Sequence, residues 1–380
     1  MGGEDQLRKI ARQLARSGSG ILASDESPNT IGKRLEKHGI ENTVESRRKY
    51  RSLFYSAPIG GAISGAILFP EALDMVTDDG LEFVKTLHDQ GVLVGVKVDQ
   101  GLESLSTCRS EGDGNVVVYD GETCTKGLDS LHERLKDYKG KGASFAKWRA
   151  AIRICKIDDT TYDVSKFCID TNAEQLALYA KACQQEGIVP IVEPEILIDG
   201  DHTMAVCEAI TSKVLKQCIY ELWNKDVDLE GILLKPQMVV PGVDCMSEQY
   251  PDPSSIAKAT LRVLRQYVPP SVPGIMFLSG GQTEYQATQN LNMLNVVSKS
   301  SDEFRAPWSL SFSFGRGLQA SVLSMWSERG PGSEEDCKTL AGKIAQINGL
   351  ATRGGYECSM NHPTIMPKGG NLQEEFRGHY

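Results

Sequence analysis

The sequence predicts an α/β fold: a single-domain parallel (β/α)₈ (TIM) barrel followed by a mobile C-terminal tail. Three observations point there. Short apolar runs alternate with helix-period stretches about eight times along the 380 residues. Polar and charged residues stand at the C-terminal ends of those runs, where barrels carry their chemistry. No shift of composition marks a domain boundary, so residues 1–353 are expected to form one barrel domain, with residues 354–380 as a tail reaching its site.

The elements follow in order. Leu7, Ile10, Ala11 and Leu14 keep the spacing of an amphipathic helix, which Ser17-Gly18-Ser19-Gly20 ends. Residues 20–23 read as the first strand, and 42–57 as an arginine-rich helix. Strands are predicted at 62–69 and 92–98, with a helix at 81–88 between them. The polar, glycine-bearing stretch 102–123 reads as a loop, followed by a helix over 125–138. Strands over 145–149, 188–195, 231–236, 274–278 and 308–314 complete the eight, and 158–167 reads as a loop. Helices are expected over 172–185, 202–224, 254–267, 282–294, 318–326 and 334–347. Beyond about Gly354 the chain is rich in Gly, Asn, Pro and Ser and reads as mobile. A doubly wound nucleotide fold would place G-x-G-x-x-G after the first strand; Ala23-Ser24-Asp25-Glu26-Ser27 stands there instead.

Composition narrows the class. A hydrophobic fraction of 40% with 24% charged residues suits a soluble globular protein, and no apolar run has the length of a membrane span. The acidic N-terminus lacks the apolar core of a signal peptide, so the expected location is cytoplasmic. A net charge of −9 argues against nucleic-acid and membrane partners, and a phosphorylated ligand would need a local cluster of cations. The ten cysteines form no C-x-x-C pair and read as reduced, buried thiols. The six histidines are at least 17 residues apart, so no histidine pair has metal-ligand spacing. Val192-Glu193-Pro194-Glu195 with Asp199, Asp201 and His202 is the nearest approach to a metal site. Asp201, just before a helix, reads better as its N-cap, and no metal is expected.

The chemistry centres on Gly231-Ile232-Leu233-Leu234-Lys235-Pro236, an apolar strand ending in one lysine. Burial favours the neutral amine, which is a nucleophile able to form a Schiff base with a carbonyl. Alone, the stretch reads first as a snorkelling or ion-paired lysine. The other strand ends change that reading, because they add Asp25, Lys97, Asp99, Lys147, Arg149, Glu193, Glu195, Ser279 and Arg316. The two-residue period puts Lys147 and Arg149 on one face, and likewise Glu193 and Glu195. Lys147 is a candidate cation to promote the neutral amine of Lys235, and Glu193 is the best-placed proton shuttle. Phe277-Leu278-Ser279-Gly280-Gly281 and Ser313-Phe314-Gly315-Arg316 follow the last two strands, where barrels often bind phosphate. Ser27, Thr30, Lys33 and Arg34 could hold a second phosphate with Lys97, although Lys33 and Arg34 also fit a solvated helix face.

In family order, Gly20-Ile21-Leu22-Ala23-Ser24-Asp25-Glu26-Ser27, Gly95-Val96-Lys97-Val98-Asp99, Phe145-Ala146-Lys147-Trp148-Arg149, Val192-Glu193-Pro194-Glu195-Ile196-Leu197, Glu230-Gly231-Ile232-Leu233-Leu234-Lys235-Pro236, Phe277-Leu278-Ser279-Gly280-Gly281-Gln282 and Phe312-Ser313-Phe314-Gly315-Arg316 resemble class I fructose-bisphosphate aldolases of the eukaryotic type. The resemblance implies a glycolytic lyase on a (β/α)₈ barrel that needs no metal or other cofactor. It would reversibly cleave fructose 1,6-bisphosphate to dihydroxyacetone phosphate and glyceraldehyde 3-phosphate. Lys235 matches the Schiff-base lysine, and Glu193 the acid/base of imine formation. Asp25 matches the residue that helps remove the C4 hydroxyl proton, and Lys147 and Glu195 the supporting charges. Ser279, Gly280, Gly315 and Arg316 match the C1-phosphate site, and Arg149, Gly281 and Ser313 are also expected among the substrate-binding residues. Ser27, Thr30 and Lys97, with Arg34 nearby, match the C6-phosphate side. Tyr380 matches the C-terminal tyrosine that exchanges a proton at the enamine carbon. The family implies a homotetramer and, in some members, additional binding to cytoskeletal partners. Pro28-Asn29 stands where the family pattern has Thr-Gly, and Thr30 replaces a common serine, so the C6-phosphate loop departs from the pattern. The tail matches poorly apart from its last residue. A transaldolase-like Schiff-base enzyme is the alternative; the pattern of two phosphate cradles disfavours it.

Overall fold

In the computed structural model, which describes residues 3–105, 107–110, 116–245, 250–357, 360, 362 and 363, eight parallel strands close into a barrel. They are β1 (Gly20–Ser24), β2 (Ile63–Leu68), β3 (Leu93–Lys97), β4 (Phe145–Ile152), β5 (Val189–Ile196), β6 (Leu233–Leu234), β7 (Gly274–Phe277) and β8 (Ser309–Phe314). Each pairs with its sequence neighbours, and β8 closes on β1. The predicted class, strand number and strand order are all present.

The helices are α1 (Gly3–Leu14), α2 (Pro28–Lys37), α3 (Val44–Tyr55), α4 (Phe83–Asp89), α5 (Leu131–Gly140), α6 (Lys166–Gln185), α7 (Met204–Asn224), α8 (Pro253–Tyr267), α9 (Glu284–Ser300), α10 (Arg316–Arg329) and α11 (Glu334–Ala351). Several depart from expectation for local reasons. The sequence reading named no helix at 28–37, yet Ser27 caps one by accepting the Thr30 amide at 3.3 Å, with Pro28 in its first turn. The helix expected from 125 starts at Leu131, because Gly127 (φ 121°) and Ser130 (φ 53°) hold non-helical backbone before it. The helix expected from 172 starts at Lys166, where Ser165 accepts the Cys168 amide. The loop expected at 102–123 contains antiparallel pairs, Leu102–Ser104 with Thr123–Thr125 and Thr107–Ser110 with Val116–Tyr119. Asp201 does not cap α7; Thr203 does, accepting the Val206 amide at 3.3 Å. Asp201 instead accepts from Lys156 Nζ at 2.6 Å and the Tyr162 hydroxyl at 2.8 Å.

Two apolar layers hold the barrel. Outward strand residues such as Trp148, Ile275 and Phe312 pack under the helices. Inside, Ile21, Phe145, Ile191, Leu233 and Met276 form a separate cluster with Leu7, Ala11 and Leu14 of α1, which plugs the N-terminal end. A Cβ at Gly95 would lie 2.2 Å from the Phe145 ring, so glycine there makes room for that ring. Ion pairs fasten α1: Arg8 Nε to Asp228 at 2.8 Å and Arg12 Nη2 to Glu230 at 2.8 Å. After α11 the chain turns along α9. The Tyr356 amide donates to Asn292 Oδ1 at 2.9 Å, and His362 Nε2 lies 3.1 Å from the Thr288 hydroxyl. Tyr380 lies outside the described residues.

His202 is buried, and its Nε2 has no hydrogen-bond partner among the described residues. Burial lowers its pKa from 6.5 to about 4, with Asp201 opposing. A histidine depressed in the folded state gives stability above its unfolded pKa and loses it as pH falls toward 4. His202→Gln is therefore expected to remove up to one proton from the acid-side stability slope between about pH 6.5 and 4. Urea denaturation across that range checks it; an unchanged slope would contradict the assignment.

Candidate active site

The barrel alternation that buries Ile21, Phe145, Ile191 and Leu233 inside sets what stands above them. Two residues further along β1 comes Ala23, still apolar, whereas on β4, on β5 and just past β6 come Lys147, Glu193 and Lys235, so along those three strands the interior changes from apolar to charged within about one residue pair, roughly 7 Å. Register fixes the neighbours. Lys97 pairs with Lys147 across β3 and β4, and Arg149 with Glu193 across β4 and β5. The Lys235 amide donates to the Val192 carbonyl at 2.8 Å, placing its side chain beside Glu193. β6 is shorter than the predicted strand: Leu229–Gly231 forms a 3₁₀ turn capped by Asp228, and Pro236 has no N–H to continue it.

These residues open into a cleft of about 610 Å³ at the C-terminal end of the barrel. Asp25, Lys97, Lys147, Arg149, Glu193, Glu195 and Lys235 all line it, as do Ser27, Thr30, Arg34, Ser279, Gly280, Ser313, Gly315 and Arg316. Gly281 does not line it. Its backbone is left-handed (φ 70°) and a Cβ would lie 1.7 Å from Ile198 Cδ1, so the residue serves the turn rather than the cleft wall. Lys33 is exposed and absent from the lining. The sequence reading missed Arg134 and Tyr138 of α5 and Phe69 beyond β2, all of which line the cleft. Glu26 also lines it and holds Arg34 at 2.6 Å. Its signal was adjacency to Asp25; the Arg134 signal required knowing how α5 packs.

The centre is a chain of four buried charges. Lys147 Nζ lies 2.8 Å from Asp25 Oδ2 and 3.2 Å from Glu193 Oε2, and Lys235 Nζ lies 3.1 Å from Glu193 Oε1. All four side chains are nearly inaccessible to solvent, Asp25 the most exposed at 11%. Burial opposes ionisation of Asp25, but the Lys147 charge, then that of Lys235, outweighs it and holds the carboxyl down at about 2. Burial likewise opposes the Lys147 ammonium, while Asp25 and then Glu193 raise its pKa. Lys147 is thus a fixed cation shared by two carboxylates. Glu193 Oε2 is buried without an aligned hydrogen bond, its near contact being the Lys147 ammonium at 3.2 Å.

The flanks are charged as well. Arg149 pairs with Glu195; burial pushes that carboxyl up, but the Arg149 charge prevails and keeps it below the usual range. Lys97 pairs with Asp99 and also donates to the Asp99 carbonyl at 3.1 Å. On the β8 side, Gly315 precedes the first turn of α10 without a side-chain cap, so the helix N-terminus and Arg316 stand beside the same space. Ser313 Oγ is buried there without a partner among the described residues. Two cationic zones therefore flank the buried chain, an arrangement suited to an extended molecule with an anion at each end. Among the described residues no group of three or more His, Cys, Asp or Glu side chains could hold a metal ion, and no helix is long and apolar enough to cross a membrane.

Comparison with known proteins places this geometry. The family model described as "Fructose-bisphosphate aldolase class-I" matches residues 6–368. Fructose-bisphosphate aldolase C of Rattus norvegicus is 46% identical over 360 residues, covering 93% of this chain and 92% of the relative. The non-muscle fructose-bisphosphate aldolase of Lethenteron camtschaticum is 46% identical over 353 residues, covering 92% and 90%. A solved structure of fructose-bisphosphate aldolase from Plasmodium falciparum, in complex with TRAP and a small molecule inhibitor, superposes with a TM-score of 0.84 at 41% identity, covering 93% of this chain and 96% of that one. The chain belongs to the class I fructose-bisphosphate aldolase family.

Proposed function

We propose that Lys235 forms a Schiff base with C2 of fructose 1,6-bisphosphate and that the cleft then breaks the C3–C4 bond. The single observation that supports this best is the buried chain Lys235–Glu193–Lys147–Asp25. Lys235 passes a proton to Glu193 and attacks the ketone as an amine. Glu193, beside the Lys235 nitrogen, returns protons as the carbinolamine loses water. The protonated imine draws electrons from C2, so this reading needs no metal or other cofactor. Asp25 accepts the C4 hydroxyl proton, the bond electrons move to C3, and glyceraldehyde 3-phosphate leaves a neutral enamine. Protonation at C3 and hydrolysis release dihydroxyacetone phosphate. Lys147 stays charged throughout and keeps Asp25 ionised.

The C1 phosphate is assigned to Ser279, Gly280, Gly315 and Arg316, and the C6 phosphate to Ser27, Thr30 and Lys97, with Arg34 nearby. Glu195 holds Arg149 in place. The reading includes a division into barrel 1–353 and tail 354–380, with Tyr380 exchanging the enamine proton. A homotetramer acting in the cytoplasm is the assembly that fits the family.

Borohydride reduction with dihydroxyacetone phosphate, followed by peptide mass mapping, tests the proposal. The expected result is one adduct, on the peptide carrying Lys235, at equal yield with and without a chelator. An adduct on another lysine, or none, would count against it.

A further inference from the structure

A second cavity of about 360 Å³ opens where β1 and β8 begin, at the barrel end opposite the catalytic cleft. Its charged lining is Arg16, Lys299 and Arg305, with no carboxylate in its wall. In a chain of net charge −9 this is a local reversal of sign.

Two of the three cations, Arg16 and Lys299, are oriented without being neutralised. Arg16 donates to the Ser19 hydroxyl at 2.9 Å and to the carbonyls of Gly60 at 2.9 Å and Ile63 at 3.2 Å. Lys299 donates to the Arg353 carbonyl at 2.8 Å. Neither has a carboxylate within 4.0 Å among the described residues. Arg305 is shared with Asp302 at 2.6 Å, both side chains being largely exposed. The hydroxyls of Ser17 and Ser309 complete the wall and have no protein partner among the described residues. A neighbouring cavity of about 580 Å³ shares Ala15, Arg16, Ser17 and Ser309; Pro270, Pro273 and Pro307 wall it, with Arg12 and Glu230, which pair with each other at 2.8 Å.

We propose that this face binds a phosphorylated small molecule, its phosphate on Arg16, Lys299 and Arg305 and its body over the proline wall. The set offers several donors and three cations. A monocarboxylate would leave much of that unused, whereas a phosphomonoester brings close to two charges and three acceptor oxygens.

Isothermal titration with inorganic phosphate tests this. The catalytic cleft is itself expected to hold phosphate, so the background is Lys97→Met/Arg316→Met. There, one phosphate per chain is expected to remain bound, and adding Lys299→Met/Arg305→Met is expected to weaken it about tenfold or more. Lys299→Glu, which leaves the Arg305–Asp302 pair intact, should weaken it at least as much. Introduced alone, Lys299→Met/Arg305→Met should leave bisphosphate cleavage unchanged, since both side chains are far from the cleft. No binding in the background, or affinity indifferent to Lys299 and Arg305, would overturn the proposal. Failure of the cleft reading would appear separately, as normal cleavage by Lys97→Met/Arg316→Met.

Discussion

Lys235→Met is expected to lower kcat/KM for fructose 1,6-bisphosphate cleavage by about 10⁴-fold or more, because the proposed mechanism draws its covalent electron sink from Lys235. Methionine matches the lysine stem in length and suits a site where the side chain is 5% exposed. The Glu193 carboxylate keeps its contact with Lys147 at 3.2 Å, but one buried cation then serves two buried carboxylates, so the fold should survive with a melting temperature lowered by several degrees. Steady-state cleavage assays and a thermal melt on the same sample decide the matter. A variant that folds and still cleaves at near-normal rate would remove Lys235 from the mechanism.

Lys147→Met should be the most damaging change to stability. It leaves Asp25 and Glu193 buried on either side of an uncharged stem. Removing one member of a buried ionic set typically costs about 3–5 kcal/mol. The pH dependence carries the diagnosis. In the parent, Asp25 is held at about 2, so its contribution is present above the unfolded carboxyl range and is lost as pH falls toward 2. In the variant the same carboxyl is pushed up, so protonation relieves the site, and the deficit against the parent should be larger at pH 7 than at pH 4.5. Urea denaturation at both values measures it. Cleavage should fall by about 10²–10⁴-fold, since Asp25 no longer stays ionised as a base. Equal deficits at the two pH values would show that Lys147 acts through packing rather than charge.

The cleft was largely legible because a barrel strand has a strict two-residue period. Lys147 with Arg149 and Glu193 with Glu195 could be assigned to one face from spacing alone, and register brought them together. The partnerships were not legible. The sequence reading set Lys147 beside Lys235 to promote its neutral amine; the structure binds Lys147 between Asp25 and Glu193, as a clamp on two carboxylates. Such pairing depends on strand tilt and side-chain length, which no one-dimensional pattern carries. α2 was missed although its signals, Ser27 as a cap and Pro28 behind it, were present. The late start of α5 had no comparable signal, since Ser130 adopts left-handed backbone that its residue type rarely takes. Arg134 and Tyr138 reach the cleft from outside the barrel, where strand periodicity has nothing to say.

The plug formed by α1 has a consequence for how the chain is made. Its anchors, Asp228 and Glu230, lie about 220 positions downstream of Arg8 and Arg12. At roughly 5–20 residues per second, α1 leaves the ribosome about 10–40 s before the residues that fasten it exist. Through that interval Leu7, Ala11 and Leu14 present an uncovered apolar stripe on a nascent chain. α1 is thus made well before it can be buried, and the newborn protein depends on whatever shields that stripe while the barrel closes.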